Sequence, residues 1–124
     1  MEFVNTDKAP APAGHYSQAV KQGGFVFVSG QLPIDPLDPE KKEGTIEEQT
    51  RQALLNMSAI LEASGSSISN VVKTTVYISD ICHWSRVNTV YSDFFGNHRP
   101  ARAVVPTREL HYRYMIEIEA IASL

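Results

Sequence analysis

One cysteine, one tryptophan, no surplus of positive charge and no long apolar run set the outer limits on this 124-residue chain. Cys82 alone cannot build an internal disulfide framework or a cysteine-ligated zinc site, and it fits a reducing compartment. The four histidines, His15, His83, His98 and His111, show neither HxH nor HxxxH spacing, so no metal is expected. No apolar run approaches the ~18 residues of a membrane span. No charged-then-apolar leader opens the chain, and a cytoplasmic protein is expected. Eleven Lys and Arg against 14 Asp and Glu give a formal charge of −3, which argues against a surface built to track phosphates. The GxGxxG, P-loop, GxSxG and HExxH signatures are absent, and no cofactor is expected.

What is present describes an ordinary globular chain, 43% hydrophobic and 20% charged, of a size for one domain over residues 1–124. Tyr16 to Val20 and Phe25 to Ser29 read as strands around the turn signal Gly23-Gly24. Residues 31–44, with three prolines, read as a loop. Thr45-Ile-Glu-Glu matches a capping box, and Ile46, Ala53, Leu54, Met57, Ile60 and Leu61 follow on one helical face until Gly65. Val71 to Ser79 is a β-branched run. Asp80 can cap a second helix with Trp84, Val87, Tyr91, Phe94 and Phe95 on its apolar side. Arg102 to Thr107 and Tyr112 to Ala122 complete the order β-β-α-β-α-β-β, an α+β two-layer design.

Two helices can cover only one face of such a sheet. Yet Phe25-Val-Phe-Val and Met115 to Ala122 carry apolar residues on both faces. A solvated second face is mostly polar, so the pattern predicts that this one packs on another subunit.

Charge inside these strands is the chemical signal. Arg102 opens an apolar run, and an unpaired charge placed for burial costs free energy. It either pairs with Glu117 or Glu119 across neighbouring strands or grips the carboxylate of a small acid, a task its planar fork suits. Glu117 and Glu119 share one strand face, and one of them could act as a general base. Asn88 lies among apolar helical neighbours, as a boundary residue or as a donor to a site. Tyr16 reads first as packing with a satisfied hydroxyl, and Gly30 permits a special turn or a close ligand approach. Cys82 and Lys73 have no evident activating partner.

These residues fall in seven segments that resemble the RidA/YjgF reactive intermediate deaminase family, in the same order and over nearly the whole chain. They are Tyr16-Ser-Gln-Ala-Val, Ser29-Gly-Gln-Leu-Pro-Ile-Asp, Glu48-Gln-Thr-Arg-Gln-Ala-Leu-Leu-Asn, Val72-Lys-Thr-Thr-Val-Tyr-Ile-Ser-Asp, Val87-Asn-Thr-Val-Tyr-Ser-Asp-Phe-Phe, Arg99-Pro-Ala-Arg and Ile116-Glu-Ile-Glu-Ala-Ile-Ala. The resemblance implies a chorismate-mutase-like fold, a homotrimer with clefts between subunits, and hydrolysis of 2-enamine or 2-imine acids to 2-oxo acids and ammonia. By that resemblance Arg102 grips the substrate carboxylate and Glu117 orients the water, while Tyr16, Gly30 and Asn88 line the cleft. Two departures from the family pattern stand out, at positions 104 and 15, and the first of them bears on substrate range together with the segment 109–114. Val104 stands where many members carry cysteine, His15 where many carry proline, and Glu109-Leu-His-Tyr-Arg-Tyr precedes the last strand. A 2-oxo-acid-binding regulatory module without catalysis is the alternative, and an endoribonuclease fits the acidic charge poorly.

Overall fold

The computed structural model describes residues 1–41 and 44–124; residues 42 and 43, in the expected loop, lie outside the described residues. The elements are β1 (Glu2–Val4), β2 (Ala19–Gln22), β3 (Phe25–Gln31), α1 (Ile46–Ala63), β4 (Val71–Ile78), α2 (Trp84–Phe95), β5 (Ala101–Pro106) and β6 (Ile116–Ser123). They build one six-stranded sheet in the order β1-β2-β3-β6-β4-β5. Only β4 and β5 run parallel, joined by the crossover that contains α2. This is a mixed-sheet α+β fold with both helices on one face.

α1 forms where expected. Thr45 Oγ1 accepts from Glu48 N, and Glu48 Oε1 accepts from Thr45 N, each at 3.1 Å. Its Ala53, Leu54, Met57, Ile60 and Leu61 are fully buried, in one core with Val26, Val28, Ile116, Ile118 and Ala122. Each large aliphatic side chain removed from water in this way contributes roughly 1.5–3 kcal/mol. α2 packs beside α1, and Arg86 of α2 clamps Glu47 of α1 through Nε at 2.9 Å and Nη2 at 2.7 Å.

Four local features depart from the sequence reading. β1 is an extra edge strand, too short to show any alternation. Tyr16 to Gln18 do not join β2. The buried Gln18 side chain instead accepts from Thr6 N at 2.7 Å and donates to Thr6 O and Pro10 O, tying the N-terminal segment down. Asp80 caps a 3₁₀ turn, Ile81–His83, by accepting from Cys82 N, and α2 follows without a side-chain cap. β6 begins only at Ile116, because His111–Arg113 form another 3₁₀ turn with Tyr112 and Arg113 left-handed, at φ 58° and 62°. Such a conformation costs roughly 1–2 kcal/mol per non-glycine residue.

The sheet face away from the helices stays open within the protomer. Phe25 and Phe27 are 41% and 44% exposed there, with Val105 and half-buried Ile121 and Tyr77 alongside. Among the described residues, no helix is long and apolar enough to cross a membrane.

Candidate active site

Side chains in lateral register on neighbouring strands point to the same face. Arg102 and Val104 are in register with Thr74 and Val76, which are buried under the helices. Glu117 and Glu119 are in register with Tyr77 and Thr75, on the open face. β4 separates the two strands. Of the two alternatives for Arg102, the cross-strand salt bridge to Glu117 or Glu119 is therefore not formed. The strands are not neighbours, and the charges lie on opposite faces.

Arg102 is half-buried. Its Nη1 donates to Asn88 Oδ1 at 3.0 Å, and its guanidinium carbon lies 4.7 Å from the centre of the Tyr91 ring and 5.7 Å from that of Trp84. Tyr91 is itself fixed by a 2.7 Å hydrogen bond between its hydroxyl and Thr74 Oγ1. Among the described residues no carboxylate pairs with Arg102. The guanidinium borders a cavity of about 520 Å³ with Asn88, Tyr91, Phe95, His98 and Arg99. One of its five donors is used by Asn88, which leaves a two-pronged edge for an acid.

Glu117 borders a different cavity, of about 460 Å³, together with Tyr16, Gly30, His111 and Tyr112. Gly30 sits where the β3–β6 register slips between Val28 and Gln31, a bulge. A Cβ at Gly30 would stand 2.7 Å from Glu117 Oε2, so glycine is what lets the carboxylate lie against this backbone. Burial pushes the Glu117 carboxyl above its ordinary range; His111 draws it down and Glu119 pushes it further up. Glu119 instead accepts from Tyr77 Oη at 2.8 Å, which commits it to structure. Tyr16 is half-exposed, and its hydroxyl accepts from Ala13 N at 3.2 Å.

The protomer thus assembles two half-sites. Arg102 and Asn88 stand together, and Tyr16, Gly30 and Glu117 stand together, but the groups do not meet within one chain. Val104 borders neither cavity with its side chain and packs against the core. Two neighbours escaped the sequence reading. Trp84 looked like plain helix packing yet is 41% exposed beside Arg102. His111 could have been found only by asking what the unusual 109–114 segment folds against.

A half-buried arginine with unused donors and a carboxylate beside glycine, on an α+β sheet with an open apolar face, form a candidate small-molecule site. The family model described as Endoribonuclease L-PSP matches residues 6–124. A RutC family protein of Pyrococcus horikoshii is 49% identical over 121 residues, covering 98% of this chain and 96% of that one. The chloroplastic Reactive Intermediate Deaminase A of Arabidopsis thaliana is 43% identical over 123 residues, 99% of this chain and 66% of that longer one. The crystal structure of E. coli TdcF with bound serine superposes with a TM-score of 0.95 at 35% identity, covering 100% of this chain and 99% of that one. The chain belongs to the RidA/YjgF family.

Proposed function

We propose that this protein hydrolyses reactive 2-imino acids, the tautomers of 2-enamine acids such as 2-aminoacrylate, to 2-oxo acids and ammonia. The observation that carries the reading is Arg102: a half-buried guanidinium held by an amide and two rings, with no internal carboxylate among the described residues. That arrangement suits a transient acid better than a structural ion pair. The deaminase name of the Arabidopsis relative and the amino acid bound to TdcF agree with a small carboxylate ligand.

The site is completed by a second copy of the chain. The open face carrying Phe25, Phe27 and Ile121 supplies the apolar contact, and a homotrimer brings Arg102 of one copy to Glu117 of the next. Arg102 binds the substrate carboxylate through two parallel hydrogen bonds and fixes the C2 carbon. Glu117, with its proton affinity raised by burial, holds the water and takes its proton as oxygen bonds to C2. Asn88 keeps the guanidinium in plane, Tyr16 closes the cleft, and Gly30 gives Glu117 its room. The imine carbon is already electrophilic, so orientation and charge placement supply most of the catalysis.

The deciding experiment generates 2-aminoacrylate or its four-carbon analogue with a dehydratase and follows pyruvate or 2-oxobutyrate release. Acceleration by this protein is expected. No acceleration, together with saturable 2-oxobutyrate binding, would establish the regulatory module instead. The matching family model carries the description Endoribonuclease L-PSP, but a formal charge of −3 weighs against ribonuclease chemistry.

A further inference from the structure

Resting on the deaminase reading, we infer that His111 is a further catalytic residue, the proton donor to the departing nitrogen. His111 borders the same cavity as Glu117, Gly30 and Tyr16. Hydrolysis needs two proton movements at C2: one off the water, the other onto the nitrogen. Glu117 serves the first. For the second, the cavity offers few groups. Phenols as a class are weaker acids than imidazolium. Ser29 Oγ is committed to Ser17 O at 2.6 Å. Imidazole is the side chain whose charge ordinarily changes near neutrality, able both to give a proton and to take one back.

The placement of His111 is built into the fold. The left-handed pair Tyr112 and Arg113 turns the chain sharply just before β6. Arg113 N donates to Leu110 O and Tyr114 N to His111 O, each at 3.2 Å. Gln49 of α1 then locks the exit by accepting from Met115 N at 2.8 Å. Tyr114 is buried directly behind the turn. The His111 ring lies 5.9 Å from the Tyr112 ring, between centres. The charged and titratable groups facing this cavity are Glu117 from β6, Tyr16 from the N-terminal segment and Tyr112; on the turn itself, Arg113 pairs loosely with Glu109 at 3.6 Å. His111 also acts through space on Glu117, favouring its ionised form against burial.

With the substrate as the 2-iminium acid, the steps balance. Water oxygen bonds to C2, its proton passes to Glu117, and the C=N π pair becomes the nitrogen lone pair. His111 imidazolium protonates that nitrogen, and the C2–N bond breaks as the hydroxyl oxygen forms the carbonyl. The hydroxyl proton returns to His111, and Glu117 gives its proton to the leaving ammonia. Iminium acid and water become 2-oxo acid and ammonium, with both residues restored.

The test compares the parent protein with His111→Gln and His111→Ala in the dehydratase-coupled assay across pH, alongside 2-oxobutyrate binding. For His111→Gln, kcat is expected to fall about 100-fold with KM within about twofold, and the decline of the parent's rate above neutrality is expected to vanish. Added imidazole is expected to restore His111→Ala in proportion to its protonated fraction. An active parent matched by His111→Gln in rate and pH profile would overturn the role of His111 alone. So would a loss that imidazole leaves unrepaired while the pH profile is unchanged. A parent that binds 2-oxobutyrate but accelerates nothing would overturn the deaminase reading, and this inference with it.

Discussion

Arg102 and Glu117 project from opposite faces of one sheet, with β4 between their strands. A reaction that uses both must draw them from different copies of the chain, so the two defects should complement. Arg102→Ala and Glu117→Gln proteins, each inactive alone, are co-expressed or refolded together and assayed. Random mixing leaves about one site in four with both residues intact, so about a quarter of parental kcat should return. Mixtures as inactive as the separate variants would place the whole site within one protomer.

Arg102→Lys keeps the charge but loses the fork that Asn88, Tyr91 and Trp84 hold in place. A charge-assisted hydrogen bond contributes about 1.5–3 kcal/mol, so losing one prong should cost about 10- to 100-fold in kcat/KM. Steady-state kinetics on the coupled imine substrate checks this. Parental kcat/KM in the lysine variant would rule out bidentate anchoring.

The helices, the central strands and their faces were legible in the sequence because periodicity reports burial directly. Ile116, Ile118, Ala120 and Ala122 do turn toward the helices, and Glu117, Glu119 and Ile121 away from them. Sheet order was not legible. Nothing in residues 101–123 says that β4 lies between β5 and β6, or in which register each pairs with it, and these two facts send Arg102 and Glu117 apart. Nor could periodicity show the 111–113 turn, since two consecutive non-glycine residues at positive φ run against local preference. Gln18 was unreadable for a similar reason: an amide buried by partners scattered over Thr6 to Pro10 leaves no local pattern.

Gly30→Ala tests the contact that gives Glu117 its place. The added methyl would sit 2.7 Å from Glu117 Oε2 and 3.0 Å from Cδ, forcing the carboxylate to swing away. A displacement of about 1 Å at a catalytic group can cost on the order of 100-fold. We expect that loss in kcat, with a melting temperature close to the parent's, because the moving atoms are a side-chain end. Unchanged turnover would mean that Glu117 does not act from this position.

Glu117 should also leave a mark on stability. Its folded-state carboxyl is raised from the ordinary 4.5, chiefly by burial, so the folded chain holds this proton more tightly than the unfolded one. The protonated form therefore favours folding. That advantage is complete below the ordinary value and is lost as pH rises through the raised one. Above that window the buried negative charge is a standing cost, which Glu117→Gln removes. Thermal unfolding of parent and Glu117→Gln should give a small difference near pH 4 and a higher Tm for the variant near pH 7. A difference that stays constant from acid to neutral pH would show that burial does not hold this carboxyl above its ordinary range. Its service as a neutral-pH base would then need another cause, and His111 cannot supply it, because His111 draws this carboxyl down.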